Sequence, residues 1–313
     1  MNSPIALLSR DHTATSVWCN ALSASMPSET IVPFASLTAA DKAAVEIAIV
    51  ADPDPAEVAE LHGLVWIHSL WAGVERLLNE LGSAAPPIVR LVDPELARTM
   101  GEAVIAWTYY LQRDMPAYRQ QQERGVWAQR AYKHPRETTV GLLGLGALGF
   151  AAATRLTAAG FSVKGWSRSP KTSEGMETYS GEAALDAVLS TSDIVVCLVP
   201  LTNETRGLIN ARRLAAMKQG ASLINFSRGP VVVAVDLIAA LDAGHLSHVV
   251  LDVFDVEPLP NTSTFWSHPK VTVLPHISAP TDRDTAAAIV AANIQAYRVT
   301  GTVPVTISAV RGY

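Results

Sequence analysis

Short runs of apolar residues recur along the chain, separated by turn signals and helix-like segments. In the first part these runs are Ile5–Leu8, Val45–Val50, Leu64–His68 and Ile88–Leu91. None approaches the ~18 consecutive apolar residues of a membrane span, so no membrane partner is expected. Continuous Val, Ile and Leu runs are typical of strands buried on both faces of a parallel sheet. The pattern therefore predicts an alternating α/β unit.

From Thr138 to His276 strand-like and helix-like segments alternate regularly. The predicted strands are Thr139–Leu143, Phe161–Trp166, Ile194–Val199, Ser222–Phe226, His248–Phe254 and Val271–Leu274. The predicted helices between them are Ala147–Ala159, Glu182–Thr191, Arg212–Met217 and Val235–Ala243. This alternation predicts a doubly wound parallel sheet of the Rossmann type.

Two longer helical patterns flank this region and divide the chain. One runs from about Glu95 to Gln122, and Pro116 is expected to kink or end it. The other, from Asp282 to Val299, is expected to return the chain to the first domain. The 313 residues are about twice the ~150 typical of one domain. We therefore predict a smaller flavodoxin-like α/β substrate domain of residues 1–98 plus 284–313, and a dinucleotide-binding domain of residues 99–283.

Composition narrows the possible partners and the compartment. The net charge is −5 and basic residues form no long cluster, so nucleic-acid binding is not expected. Cys19 and Cys197 are too few for a disulfide framework and are typical of thiols in a reducing compartment. The first ten residues lack the pattern of a secretory signal, so a cytoplasmic location is predicted. No metal site is predicted.

A glycine-rich turn directly follows the first strand of the predicted Rossmann domain. Gly144, Gly146 and Gly149 form a GxGxxG pattern with Ala147 and Leu148, which opens an alanine-rich helix. Gly144 would allow the tight turn, Gly146 the close approach of a pyrophosphate, and Gly149 the packing of helix on strand. The helix N-terminus would offer free N–H groups to the anion. The alternative is a glycine turn without a ligand.

The end of the second strand indicates which dinucleotide binds. NAD enzymes usually carry Asp or Glu there, to accept hydrogen bonds from the ribose hydroxyls. This chain has instead two hydroxyls and two cations, at Ser167, Arg168, Ser169 and Lys171. These side chains suit a 2′-phosphate, so NADPH is predicted, with NADH possible but less favoured. The alternative is that Arg168 and Lys171 are solvated loop charges.

Three ionisable residues follow the carboxyl ends of three predicted strands, where open α/β sheets bind ligands. Arg228, Glu257 and His276 would suit the reduction of a 2-oxo acid. His276 would supply the proton that accompanies hydride addition to the carbonyl. Glu257 would orient the imidazole and raise its pKa. Arg228 would hold the carboxylate and polarise the carbonyl oxygen.

Two other carboxylates compete with Glu257 as partner of the imidazole. Asp252 and Asp255 lie close to Glu257 in the sequence. Asp252 falls at the end of the predicted strand, so a contact with the nicotinamide amide of the cofactor is the more plausible role for it.

In these residues the chain resembles the D-isomer-specific 2-hydroxyacid dehydrogenase family, most closely its glyoxylate/hydroxypyruvate reductase A type. The resemblance covers nearly the whole chain. It lies in the glycine turn and in the motifs Leu198-Val199-Pro200-Leu201-Thr202, Asn225-Phe226-Ser227-Arg228-Gly229, Leu251-Asp252-Val253-Phe254-Asp255-Val256-Glu257-Pro258 and Pro275-His276-Ile277-Ser278. It implies the same catalytic residues, Arg228, Glu257 and His276.

The resemblance also implies contacts that the residues alone do not reveal. The segment from Ser69 to Val74 is similar to the family segment whose backbone N–H groups hold the substrate carboxylate, which implies substrate contacts from Trp71, Ala72, Gly73 and Val74. For Trp71, core packing is the alternative. Further cofactor contacts are implied at Val199, Pro200, Thr205, Phe226, Ser227 and Ser278. A homodimer built on the long helix around Met100 to Met115 is also implied.

Taken with the chemistry above, the resemblance implies NADPH-dependent reduction of a small 2-oxo acid, with glyoxylate or hydroxypyruvate favoured as substrate. Longer 2-oxo acids stay open, because specificity for one methylene is worth only ~1–3 kcal/mol. The alternative from another class is a dinucleotide-sensing regulatory protein of the corepressor type, without significant turnover. Turnover on addition of glyoxylate would distinguish the two.

Overall fold

The computed structural model describes residues 2–82, 85–173 and 175–307. It divides into two compact units. The first comprises the residues up to Glu95 together with those from Thr281 onward, and the second is Leu96–Pro280. The predicted boundaries at residues 98/99 and 283/284 lie close to these.

Strands and helices alternate through both units. The strands are β1 (Ile5–Ser9), β2 (Ile31–Pro33), β3 (Ile47–Ala51), β4 (Trp66–Ser69), β5 (Ile88–Val89), β6 (Thr139–Leu143), β7 (Ser162–Ser167), β8 (Glu177–Ser180), β9 (Ile194–Cys197), β10 (Ser222–Asn225), β11 (His248–Leu251) and β12 (Val271–Val273). The α-helices are α1 (His12–Ser25), α2 (Ala39–Ala44), α3 (Pro55–Ala59), α4 (Glu75–Leu81), α5 (Pro94–Gln112), α6 (Met115–Glu123), α7 (Ala147–Ala158), α8 (Glu182–Thr191), α9 (Ala211–Ala216), α10 (Ala234–Asp242) and α11 (Arg283–Thr300).

The first unit is built on a parallel sheet with strand order β2-β1-β3-β4-β5. This is the flavodoxin-like order, as predicted. Every residue of β3 is buried, which explains the continuous apolar run in the sequence. On one face, α11 packs Ala287, Val290 and Ile294 into the same cluster as residues of β1, β3 and β4. The closing helix is therefore part of this unit.

The second unit is built on a parallel sheet with strand order β12-β11-β10-β9-β6-β7-β8. Starting from β6, this is the doubly wound Rossmann order, extended by one strand. Apolar clusters cover both faces, one containing Leu143 and Val195 and the other Leu142 and Val196. The predicted Rossmann-type fold is confirmed.

The edge strands β2 and β8 were not predicted. β8 has the sequence Glu-Thr-Tyr-Ser and none of its side chains is fully buried. β2 has three residues and ends in Pro33, which is tolerated at a sheet edge because an edge strand needs fewer backbone donors. Neither sequence contains an apolar run long enough to be recognised, whereas the other two edge strands, β5 and β12, lie within the predicted segments Ile88–Leu91 and Val271–Leu274.

The predicted long helix from Glu95 to Gln122 is two helices. α5 ends at Gln112, and α6 begins at Met115 after Asp114, which is left-handed with φ 53°. Pro116 therefore lies in the first turn of α6, where its missing N–H leaves no intrahelical bond unmade. Among the described residues, no helix combines the length and apolar character needed to cross a membrane.

Candidate active site

The glycine turn between β6 and α7 is shaped by two of its three glycines. A Cβ on Gly144, which has φ 112°, would lie 2.8 Å from the backbone of Leu198. A Cβ on Gly149 would lie 1.9 Å from the carbonyl oxygen of Gly144. Gly146 differs, since a Cβ there would meet no described atom within 4 Å. Gly144 and Gly149 are thus required by backbone packing, while Gly146 leaves open space.

That open space lies at the start of a helix. Gly146 is the N-cap of α7 and has no side chain to accept from the first-turn N–H groups. The positive end of the helix dipole and these N–H groups together favour an anion. The turn therefore fits a dinucleotide pyrophosphate, with Gly146, Ala147 and Leu148 as the residues that would hold it.

The segment after β7 combines one buried hydroxyl with exposed side chains. Ser167 is buried, and its Oγ donates to the carbonyl oxygen of Ser169 at 2.7 Å. Arg168, Ser169 and Lys171 are exposed. The charge of Arg168 contributes to a lowered pKa of Glu204, after the larger effect of the hydrogen bond from Thr202. Arg168 thus has an acidic neighbour, which the sequence pattern did not indicate.

The remaining predicted cofactor residues are positioned by local hydrogen bonds. Thr205 Oγ1 donates to the carbonyl oxygen of Pro200 at 2.6 Å, which shapes the loop after β9. Ser227 Oγ donates to Asn225 Oδ1 at 2.6 Å. The Oγ of Ser278 is buried without a hydrogen-bond partner among the described residues. Val199 and Phe226 are also buried. An unpaired buried hydroxyl is rare in folded proteins, and a bound ligand would account for it.

His276 and Glu257 form a hydrogen-bonded pair. The Nδ1 of His276 lies 2.7 Å from Oε2 of Glu257. The other oxygen, Oε1, accepts from the backbone N–H of Phe254 at 2.8 Å, which fixes the carboxylate. The competing Asp252 instead accepts from the backbone N–H groups of Ile277 and Ser278. Among the three carboxylates considered from the sequence, Glu257 is therefore the partner of the imidazole.

Arg228 is brought to this pair by a close approach of two backbones. A Cβ on Gly229 would lie 2.0 Å from the carbonyl carbon of Phe254, so only glycine fits there. The turn after β10 and the turn after β11 are thereby in direct contact. The Nη1 of Arg228 donates to the carbonyl oxygen of Ser227 at 2.7 Å. The arginine charge influences the pKa of both Glu257 and His276.

The electrostatics of the pair favour a charged imidazole. The hydrogen bond to Glu257 raises the pKa of His276 above its ordinary value of 6.5, although burial opposes this shift. Burial would raise the pKa of Glu257, but the hydrogen bonds from His276 and from the Phe254 N–H outweigh it, so that pKa is lowered. The pair can therefore hold a proton on the imidazole beside a carboxylate.

Asp252 holds the turn that carries His276. It is buried, and its two oxygens accept from the backbone N–H groups of Ile277 at 2.7 Å and Ser278 at 2.8 Å. His276 itself has a left-handed backbone with φ 56°, a conformation that β-carbon-bearing residues rarely adopt. The sequence indicated a contact of Asp252 with the nicotinamide amide but not this anchoring role.

In the first unit, the predicted substrate segment of residues 69–74 follows β4. Ser69 Oγ accepts from the backbone N–H of Trp71 at 3.0 Å. Trp71 is 42% exposed, which argues against the alternative that it is a core residue. Leu70 and Val74 are buried in the two apolar clusters of this unit. Of these three apolar side chains, only Trp71 is therefore available to a substrate.

Comparison with known proteins identifies the family. The sequence model of the NAD-binding domain of D-isomer specific 2-hydroxyacid dehydrogenases matches residues 105–278. The chain belongs to this family. The membership confirms the predicted family and the predicted class of protein, an oxidoreductase with a dinucleotide-binding domain.

Similar proteins extend the likeness over both units. The chain is 34% identical over 303 residues to glyoxylate/hydroxypyruvate reductase A of Yersinia enterocolitica, covering 95% of this chain and 96% of the relative. A D-isomer specific 2-hydroxyacid dehydrogenase of Xanthobacter autotrophicus Py2, solved with NADPH and MES, has a TM-score of 0.92 at 37% identity. The NADPH-dependent glyoxylate/hydroxypyruvate reductase SmGhrA of Sinorhizobium meliloti, solved with NADP and sulfate, has a TM-score of 0.91 at 33% identity. Each of these two comparisons covers 100% of this chain and 100% of the solved chain.

Proposed function

We propose that this protein reduces a small 2-oxo acid to the corresponding D-2-hydroxy acid with NADPH, with glyoxylate and hydroxypyruvate as the favoured substrates. The observation that carries the proposal is the 2.7 Å contact between His276 Nδ1 and Glu257 beside Arg228. The names of the relatives from Yersinia enterocolitica and Sinorhizobium meliloti support the same substrates.

Each of the three side chains has a defined task in this reaction. NADPH, when bound, supplies the hydride. Because Nδ1 of His276 faces Glu257, Nε2 is the nitrogen that carries the proton to the carbonyl oxygen. Glu257 stabilises the imidazolium before the transfer and fixes the ring. Arg228 binds the carboxylate and stabilises the negative charge that develops on the carbonyl oxygen.

We propose that the segment of residues 69–74 holds the substrate carboxylate, with Trp71, Ala72, Gly73 and Val74 as its contacts. The exposed ring of Trp71 supports this role, as does the burial of Leu70, which anchors the segment. For Val74, whose side chain is buried, the contact would be made by the backbone N–H.

The preference for NADPH is proposed from the residues after β7. Ser167, Arg168, Ser169 and Lys171 provide hydroxyls and positive charge where an NAD enzyme would carry a carboxylate. The relatives solved with NADPH or NADP support this proposal. The further cofactor contacts are Val199, Pro200, Thr205, Phe226, Ser227, Asp252, His276 and Ser278.

The test is a panel of 2-oxo acids run with both cofactors. We expect the highest kcat/KM with NADPH and glyoxylate or hydroxypyruvate, and lower values with longer 2-oxo acids. Arg168→Ala should lower kcat/KM with NADPH by about tenfold and leave the value with NADH nearly unchanged, because only NADPH carries the 2′-phosphate. Equal losses with both cofactors would contradict the phosphate contact. Cofactor binding without turnover of any acid would contradict the enzymatic proposal.

We also propose a homodimer. The implied contact is the helical region around Met100 to Met115, where Met100, Val104 and Leu111 are buried in their own unit while Tyr109 and Met115 are 37% and 40% exposed. The chain after α6 exposes Trp127 by 99% and Tyr132 by 54%, an unusual amount of aromatic surface for a monomer. A second copy of the chain that packs against this segment would bury these aromatic side chains. Sedimentation of the purified protein at the mass of two chains is the expected result, and a monomer would contradict it.

The cytoplasmic location stays a prediction. Cys19 and Cys197 are free. Burial raises the pKa of Cys197 to about 12, so this thiol is inert at neutral pH. Free thiols of this kind are compatible with a reducing compartment.

A further inference from the structure

A fully buried histidine directly precedes the proposed substrate segment. His68 lies on β4, between its neighbours β3 and β5 in the sheet, and its exposed fraction is 0%. Its ring packs 6.0 Å from the ring of Trp66. The proposed chemistry does not use this residue. Because a buried polar ring is costly unless its nitrogens are hydrogen-bonded, its partners indicate what it does.

Both ring nitrogens of His68 have partners in the first unit. Nδ1 lies 2.9 Å from the carbonyl oxygen of Ser69, and Nε2 lies 2.9 Å from Nδ2 of Asn293 on α11. A carbonyl oxygen can only accept, so Nδ1 carries the proton and donates it. In a neutral ring Nε2 then accepts from the Asn293 amide. Burial lowers the pKa of His68 to about 4, which keeps the ring neutral near pH 7.

The bond from His68 is one of several that fix the start of the substrate segment. The carbonyl of Ser69 is held by His68, and its hydroxyl accepts from the Trp71 N–H at 3.0 Å. The N–H of Leu70 donates to the Val50 carbonyl at 2.9 Å, and the Trp71 carbonyl accepts from Leu91 at 3.2 Å. The Ser69–Leu70 peptide is therefore held at its N–H by Val50 and at its carbonyl by the ring of His68, and the ring is in turn held by Asn293.

We propose that His68 and Asn293 are positioning residues that hold residues 69–74 in the conformation that binds the substrate carboxylate. This inference rests on the proposed function, because it assigns that carboxylate to the segment. A chain of hydrogen bonds runs from Asn293 through His68 and Ser69 to Trp71. Substrate affinity is thereby controlled by two side chains that do not touch the substrate.

The first test compares two amide replacements of His68. The side-chain nitrogen of Asn takes the place of Nδ1, whereas that of Gln takes the place of Nε2. His68→Asn therefore keeps a donor for the Ser69 carbonyl and His68→Gln loses it. We expect His68→Gln to raise the KM for glyoxylate about tenfold and His68→Asn to raise it at most about threefold. The kcat and the Kd for NADPH should stay near wild type in both.

A second pair of variants covers the case in which replacement of the buried ring prevents folding. Asn293 is only half-buried, so Asn293→Leu removes the donor to Nε2 with less disturbance. We expect it to raise the KM for glyoxylate about threefold to tenfold. Gln295→Leu, at an exposed position of the same helix, is the matched control and should leave the KM unchanged. Equal KM values for the two leucine variants would overturn the inference.

Hydrogen exchange of the peptide that covers residues 69–75 provides a measurement independent of turnover. We expect faster exchange in His68→Gln and Asn293→Leu, a smaller increase in His68→Asn, and wild-type exchange in Gln295→Leu. If exchange rises while the KM stays constant, the segment does not hold the substrate and the inference is refuted. If the wild type turns over no 2-oxo acid, the proposed function fails, and unchanged exchange in His68→Gln would separately refute the positioning role.

Discussion

In the proposed mechanism the proton for carbonyl reduction resides on His276, and Glu257 is the residue that does most to retain it. The hydrogen bond to Glu257 raises the pKa of the imidazole, while burial and the charge of Arg228 lower it. Because the proposed reduction requires the charged ring, we expect activity to be present below this pKa and to be lost as the pH rises through it. The arginine that would bind the substrate thus opposes the carboxylate that maintains the acid.

Replacement of that carboxylate should move the pH profile in a defined direction. Glu257→Gln removes the charge that raises the pKa of His276, so the falling limb of kcat/KM should shift to lower pH. At neutral pH kcat should fall by about tenfold or more. Asp255→Asn, which removes an exposed carboxylate from the same loop, is the control and should keep the wild-type profile. An unshifted limb in Glu257→Gln would show that another group sets the pH dependence.

The positions of Arg228, Glu257 and His276 after strand ends could be predicted from the sequence, because the ends of these strands are recognisable. The contacts that hold these side chains and the substrate segment in place could not be predicted from the sequence. The two bonds from Asp252 to the N–H groups of Ile277 and Ser278 depend on the pairing of β11 with β12. The contact between His68 and Asn293 joins residues that are far apart in the chain and requires the position of α11. Such contacts follow from packing, which apolar periodicity does not specify.

At the scale of elements, the glycines in the turn between β6 and α7 serve different purposes. Gly149 is required for folding, whereas Gly146 is expected to be required for cofactor binding. Gly149 is in contact with the Gly144 carbonyl, so an added methyl group must displace the helix. Gly146 meets no described atom within 4 Å of an added Cβ, and its extended backbone is one that alanine can adopt. The same substitution should therefore have different consequences at the two positions.

Gly149→Ala should lower the free energy of unfolding by about 1–3 kcal/mol and weaken NADPH binding as well. Gly146→Ala should retain wild-type stability and weaken NADPH binding by about tenfold or more, because its methyl group would occupy the space left for the pyrophosphate. Thermal unfolding and fluorescence titration with NADPH measure the two effects. Wild-type affinity in Gly146→Ala would place the pyrophosphate elsewhere.

Element prediction succeeded for the central strands and for the edge strands β5 and β12, and it failed for the edge strands β2 and β8. β6 and α8 have the predicted bounds, and the central strands β9 and β10 begin at the predicted residues. β2 and β8 were missed because β2 has only two apolar residues before Pro33 and β8, with the sequence Glu-Thr-Tyr-Ser, contains no apolar run. The break between α5 and α6 was indicated by Pro116, but its position was not, since the left-handed Asp114 leaves no sequence signal.

For the whole molecule, one buried neutral histidine in each unit couples stability to pH. Burial lowers the pKa of His68 and of His248 from 6.5 to about 4. Between these values the unfolded chain binds a proton at each ring and the folded protein does not. The contribution of these two histidines to the free energy of unfolding is therefore fully present above about pH 6.5, and it decreases as the pH drops toward 4.

On acidification the free energy of unfolding should decrease by up to about 3 kcal/mol for each histidine. Urea unfolding at a series of pH values should show this decline, and His68→Asn or His248→Asn should flatten part of it. The exposed His62→Asn is the control and should leave the slope unchanged. A variant slope equal to that of the wild type would show that other groups cause the acid sensitivity.

The discontinuity of the first unit has a consequence for synthesis on the ribosome. The second unit is contiguous, from Leu96 to Pro280, and all of its strands among the described residues are translated before α11. The sheet of the first unit is translated earliest. Ala287, Val290 and Ile294, which cover one of its apolar faces, are translated much later. The segment made first therefore completes its fold last, and a nascent chain stalled near Pro280 would present that uncovered face to chaperones.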